Sequence, residues 1–224
     1  WILDPLCFML IYVFMFGYVF KSKQQYFAIF VFIGITLWDF FNKSLIQSVK
    51  LIKANKPIVS KVYIPKFILI LVKMGVNGFK MFISLLIIVA MLAVWRVPIT
   101  YNVIYIIPIL MTLIVLVFGF SCFLLHYGVF VEDLSNVLNI ALRFLFYLTG
   151  IFWNIMDRLP APYNSYIGRC NPIAFLLTSA RDCVIYGSTP HRKLLLLWFV
   201  IGLIISALGV RKIYKNENSY VKVI

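Results

Sequence analysis

The stretch KSLIQSVKLIKANKPIVSKVYIPK, residues 43–66, decides how the chain is read. It carries Lys43, Lys50, Lys53, Lys56, Lys61 and Lys66, holds no acidic residue, and separates two long apolar runs. Short loops beside membrane spans carry their Lys/Arg excess on the cytoplasmic side. This connector therefore orients everything around it. Pro57 and Pro65 each push the residue before them out of the helical region, so the spacing predicts a short helix, a turn and an extended entry into the next span. A kinked basic connector of this kind is a docking surface for a cytoplasmic partner.

Composition agrees. Of 224 residues, 63% are hydrophobic and only 12% charged, and the mean hydropathy of +1.00 exceeds what a soluble core of this size buries. The apolar runs are long, unlike the short alternating segments of an outer-membrane barrel. The expected fold is an all-α integral membrane protein with six transmembrane helices, at about residues 3–20, 26–46, 67–94, 103–125, 135–156 and 193–210. The whole chain is one transmembrane domain, with 47–66 as the cytoplasmic loop. Its net charge of +14 flanks apolar spans, where each cation gains about 1 kcal/mol from anionic headgroups. Lipid or a phosphorylated substrate, not nucleic acid, is the expected counterpart.

Residues 157–192 read differently. Pro160, Pro162 and Pro172 interrupt apolar runs such as Ile173–Leu177 that are too short to span. The pattern predicts a pair of short re-entrant helices on the outer side, permitted where protein shields the backbone. Arg158, Arg169, Arg181, Arg192 and Lys193 lie in or just after this segment, available to an anionic substrate or to Asp157 and Asp182. Cys170 and Cys183 also fall here, and their pairing is open. With no CxxC and no Cys/His cluster, no metal site is expected. His126 and His191 lack the company that catalysis requires and read as interfacial. The chain begins at Trp1 without a recognisable signal peptide, so an earlier segment is expected to be missing.

A few polar groups sit inside the expected spans. Asp39 precedes Lys43 by four residues, the favourable order for a local pair; gating or proton coupling is the competing reading. Lys80 lies about 20 Å along its helix from Phe67, too deep to snorkel easily, and should face protein or a wet cavity. Arg143, about 12 Å in from Ser135, is either neutralised by Asp39 or meets a pyrophosphate-linked lipid head as a bidentate donor. Glu132 and Asp133 form a compact acidic link, a second candidate contact for a cytoplasmic partner.

The order Trp1-x-x-x-Pro5, Trp38-x-Phe40-Phe41 with Ser44-Leu45, then Asn55 and Lys61-Val-Tyr-Ile-Pro65, resembles the permease subunits of polysaccharide-exporting ABC transporters, the O-antigen and teichoic-acid exporters. Phe146-Tyr-Leu-Thr-Gly-Ile-Phe-Trp153, Leu159-Pro160, Asn171-Pro172 and Ala180-Arg181 ahead of Tyr186-Gly187 follow in the same order, so the resemblance covers nearly the whole chain. Two positions depart from it. Gly150 stands where a proline is usual, and Glu132 precedes Asp133 where Arg-Asp is common.

The resemblance implies a channel-forming subunit of the bacterial cytoplasmic membrane that moves a lipid-linked cell-surface polysaccharide or teichoic acid outward. Two permease copies would pair, a homodimer being expected, and two ATPase subunits would supply ATP and Mg²⁺. Those subunits would grip Lys50, Lys53, Asn55, Lys56 and Lys61, with Glu132 and Asp133 as the second contact. The resemblance also implies an amphipathic cytoplasmic helix before the first span. Aromatic faces stack on sugar rings, so Phe144, Phe146, Tyr147, Phe152 and Trp153 are channel and gate candidates, together with Arg143 and Lys80; packing between helices or against lipid is the alternative. No G-x-x-x-x-G-K-[ST] phosphate loop occurs in the sequence, so ATP hydrolysis of that type belongs to another chain. Abundant Lys, Ile, Phe, Tyr and Asn fit an AT-rich genome, and a Gram-positive host would favour teichoic acid or a rhamnose-type glycan.

Rival readings are an ABC permease for a small hydrophobic compound or drug, and a membrane-embedded glycosyl- or phosphotransferase on a lipid carrier. The second needs convergent acids, and only Glu132-Asp133 comes near. A passive channel would have no use for a basic docking connector.

Overall fold

The computed structural model describes residues 26–59, 61, 64–154, 160, 163–217 and 219–220, together with Cys7, Leu10, Ile11 and Phe14. Most of the expected first span, and Lys21, Lys23, Asp157, Arg158 and Lys222, lie outside the described residues. Regular structure among the described residues is helical throughout. In chain order it comprises α1 (Phe27–Val49), α2 (Leu51–Ala54), α3 (Lys56–Val59), α4 (Lys66–Val94), a 3₁₀ turn (Tyr101–Tyr105), α5 (Ile106–Phe130), α6 (Leu134–Leu148), α7 (Tyr163–Cys170), α8 (Pro172–Val184) and α9 (Arg192–Lys215).

Among the described residues, four stretches are long and apolar enough to cross a bilayer: Phe27–Val49, Lys66–Val94, Tyr101–Phe130 and Arg192–Lys215. They fall on four of the expected ranges, 26–46, 67–94, 103–125 and 193–210. α6 differs from expectation. Its 15 residues span about 22 Å, short of a hydrocarbon core of about 30 Å, whereas the sequence suggested a helix from 135 to 156. The physical reason is Gly150, whose φ of +67° is left-handed and cannot continue a right-handed helix. Residues 157–192 do contain two short helices, α7 and α8.

α1 is buried on nearly every side: Ile29, Phe30, Val31, Phe32 and Ile33 are all 3% exposed or less. A helix apolar all round belongs inside a bundle. The other spanning helices are one-sided. α4 exposes Leu71, Val72, Val76 and Phe79, and α9 exposes Leu196, Val200, Leu203, Ile204 and Leu208. Apart from the adjacent Leu71/Val72 and Leu203/Ile204, they follow one another three or four residues apart, which gives each helix an apolar outer stripe, suited to contact with lipid tails.

The chain forms two compact units from interleaved segments. The first takes Trp1–Asp39, Phe79–Leu110 and Leu145–Leu195; the second takes Phe40–Gly78, Met111–Phe144 and Leu196–Ile224. Polar groups tie each unit internally. In the first, Asn102 Nδ2 donates to the Gly187 carbonyl at 2.5 Å. In the second, Asn77 Nδ2 donates to Ser44 Oγ and Gln47 Oε1, both at 3.1 Å, and Ser206 Oγ donates to the Val115 carbonyl at 3.0 Å. Buried polar atoms need such partners, and here they lock α1 to α4 and α5 to α9.

Candidate functional site

The basic connector folds as an elbow of two single-turn helices. Leu51, Ile52 and Val59 are buried and anchor it, while Lys50, Lys53, Lys56 and Lys61 are exposed. Asn55 makes the corner. Its side-chain Nδ2 donates to the Leu51 carbonyl at 2.7 Å, closing α2, and its own carbonyl accepts from Ile58 and Val59 N–H at 3.0 Å each, opening α3. Pro57 suits the first turn of α3 because the amide hydrogen it lacks is unpaired at a helix start anyway. At the head of the elbow a Cβ on Gly128 would collide with the Val49 carbonyl, so only glycine lets α5 pass so close.

Lys66 stands apart from the other connector lysines. It is 3% exposed, 3.3 Å from the Glu217 carboxylate, and it donates to the Ile64 carbonyl at 3.0 Å. The chain beyond α9 thus holds the exit of the connector. Close by in sequence, Tyr220 is fully buried, with its hydroxyl hydrogen-bonded to His126 Nδ1 at 2.8 Å and its ring against Phe130. His126 is therefore a buried partner of Tyr220. Glu132 and Asp133 are exposed between α5 and α6, and the Asp133 carbonyl accepts from Asn136 and Val137 N–H to start α6.

The aromatic candidates divide. Phe146 meets Trp38, Tyr147 and Phe152 edge-on at ring separations of 5.5, 5.5 and 5.4 Å, a geometry that aromatic quadrupoles favour. Phe144 and Tyr147 are exposed at 68% and 70%, Trp153 is half-buried, and Arg143 is exposed. Lys80 is half-buried, and its carbonyl accepts from Ser84 Oγ at 3.2 Å.

The bend after α6 is held by a residue the sequence suggested for a substrate or an outer carboxylate. Arg181, on α8, is 3% exposed. Its Nε donates to the Phe30 carbonyl at 3.0 Å, Nη1 to Gly150 at 2.8 Å and Nη2 to Ile151 at 2.7 Å, with the guanidinium 3.5 Å above the Phe30 ring. The planar fork of arginine suits three divergent carbonyls, as a lysine ammonium would not. A lone cation inside the apolar run PIAFLLTSAR was the available signal for such a role. Nearby, Cys183 is buried and Cys170 exposed, both as free thiols; Cys183 does not face outward.

A cleft of about 240 Å³ lies beside α8 in the same unit, lined by Phe175, Thr178, Ser179 and Asp182 from that helix and by Arg169 and His191. Burial pushes the Asp182 carboxyl up to about 6, against the opposite pull of Arg181.

Residues 2–185 match the ABC-2 type transporter family. The chain belongs to that family. It aligns with two proteins named O-antigen export system permease protein RfbA, both from Klebsiella pneumoniae. One is 24% identical over 222 residues, covering 99% of this chain and 85% of the relative. The other is 24% identical over 224 residues, covering 100% and 85%. As an ABC-2 chain, it is a multi-pass membrane transport subunit that works with an ATPase subunit.

Proposed function

We propose that this chain is the channel-forming permease of an ATP-driven exporter that moves a cell-surface polysaccharide across the bacterial cytoplasmic membrane. The observation that carries the reading is the alignment, over essentially the whole chain, with two O-antigen export permeases. The working unit has six spans per chain, two permease copies and two ATPase subunits that bind ATP and Mg²⁺. The ATPases grip Lys50, Lys53, Asn55, Lys56 and Lys61, with Glu132 and Asp133 as the second contact. Leu51, Ile52 and Val59 then carry their movement into the helices, because a buried anchor transmits displacement where an exposed side chain only yields.

On the substrate side, Phe144, Tyr147, Phe152 and Trp153 offer ring faces to successive sugars, and Phe146 packs edge-on against Tyr147 and Phe152. Stacking tolerates many sugar orientations, so a polymer can slide. Arg143 and Lys80 provide cations for a phosphate-bearing lipid carrier, and teichoic acid fits them equally well as cargo.

The test is reconstitution. The chain and its co-purified ATPase, in vesicles loaded with ATP and Mg²⁺, should move a lipid-linked glycan across the bilayer and hydrolyse ATP faster with the glycan present. Transport of a hydrophobic dye with no glycan transfer would overturn this reading in favour of a small-molecule exporter.

A further inference from the structure

The cleft beside α8 has the chemistry of a binding site. Phe175, Thr178, Ser179 and Asp182 follow one another at i, i+3, i+4 and i+7, so they share one face of the helix, and all four line the cleft. That single wall offers an aromatic ring, two hydroxyls and a carboxyl group. Arg169 and His191 also line the cleft.

Size restricts the occupant. About 240 Å³ falls below the ~300 Å³ at which drug-sized sites begin, which leaves room for one ring-sized group and not for an extended chain. Charge restricts it further. Asp182 is acceptor-only once ionised and takes two hydroxyl donors, while its negative charge opposes a phosphate in the same space. With a carboxyl group that titrates near 6, the acceptor is in place at neutral pH. Thr178 and Ser179 both donate and accept, Arg169 only donates, and the Phe175 ring takes the apolar C–H face that a pyranose presents. A neutral polyol ring matches the aromatic face, the hydroxyls and the carboxylate together, which a purely apolar molecule does not.

We propose that the α8 cleft is a sugar-binding subsite that receives one neutral pyranose ring of the exported glycan, stacked on Phe175 and hydrogen-bonded by Asp182 and Ser179. The proposal rests on the reading of the cargo as a polysaccharide. It also assigns a specificity role to α8. The residue beside Asp182 is Arg181, which holds the Gly150 and Ile151 carbonyls, so a ring seated in the cleft bears on the same helix that fixes the bend after α6.

The experiment uses the intact transporter, this chain with its ATPase, in lipid nanodiscs. Saturation-transfer NMR is run with L-rhamnose, D-galactose, D-mannose, D-glucose and N-acetylglucosamine in turn, and inorganic phosphate is added as a competitor. At least one sugar should give a signal that phosphate does not displace. Asp182→Asn and Phe175→Leu should each weaken binding about tenfold, and the outward-facing Ile204→Val should leave it unchanged. In case Asp182→Asn fails to assemble, Thr178→Cys supplies a second measurement: the bound sugar should slow maleimide labelling of the introduced thiol, read by peptide mass spectrometry. The proposal falls if no sugar binds, if binding survives both cleft substitutions, or if phosphate and not sugar protects the thiol. ATP-driven glycan transfer is measured on the same preparation. Transfer without sugar binding would remove the subsite and leave the exporter reading standing. Sugar binding without transfer would do the reverse.

Discussion

The elbow at Leu51–Val59 and the bend at Gly150–Trp153 both interrupt helices, and they use positive charge in opposite ways. In the elbow, four lysines point outward and the turn is made by apolar anchors and one asparagine. At the bend, one arginine is buried and its guanidinium satisfies three backbone carbonyls. Exposed cations contribute little to stability and remain available to a partner. A buried cation costs a great deal to desolvate, and its hydrogen bonds then specify one backbone path. The first arrangement makes a surface; the second makes a shape.

The contrast is most directly broken at Arg181. Arg181→Met leaves three carbonyls without their donor and should cost about 3–5 kcal/mol. The variant should lose its monodisperse peak in detergent size exclusion, and Arg181→Lys should recover only part of it. A methionine variant that elutes and melts like the parent would show that the guanidinium does not hold the bend.

Lys66 tests the intermediate case, a connector lysine turned inward. Lys66→Met strands the Glu217 carboxylate and should cost about 3 kcal/mol. The Lys66→Met/Glu217→Gln double variant should recover most of that, as read by thermal unfolding. Equal losses in the single and double variants would mean that the pair is not coupled.

Gly150→Ala comes next, at about 1–2 kcal/mol, since a Cβ resists the left-handed conformation. An unchanged melting temperature would argue against the positive φ. Smallest in stability and largest in function is the elbow. Replacing Lys50, Lys53, Lys56 and Lys61 together by Gln should move the unfolding midpoint by no more than about 2 °C, yet abolish co-purification of the ATPase. Retained co-purification would remove the docking role.

What the sequence made legible follows the same division. The long apolar runs and the basic connector are local patterns, and the helices Phe27–Val49, Lys66–Val94, Tyr101–Phe130 and Arg192–Lys215 appear where hydropathy puts them. The two short helices after Pro160 and Pro162 are legible too, because proline and short apolar runs are local signals. The length of α6 is not. It depends on Gly150 taking a positive φ and on Arg181, 31 residues later, donating to its carbonyl. Nor does any local pattern send Lys66 inward to Glu217 or tie His126 to Tyr220, 94 residues on. The sequence pattern offers Arg181 to a substrate or an outer carboxylate and groups Lys66 with the other connector lysines, since residue type alone does not reveal the carbonyls and carboxylate they meet.

Arg181 also imposes an order of events during synthesis. When Gly150 and Ile151 leave the ribosome, the Arg181 side chain that secures their carbonyls has not yet emerged. At the usual ~5–20 residues per second, roughly 2–6 s separate the two. Through that interval the end of α6 is unsecured. α8 must leave the ribosome before the bend can close, so a pause or truncation between them would leave an otherwise complete helix without its proper termination.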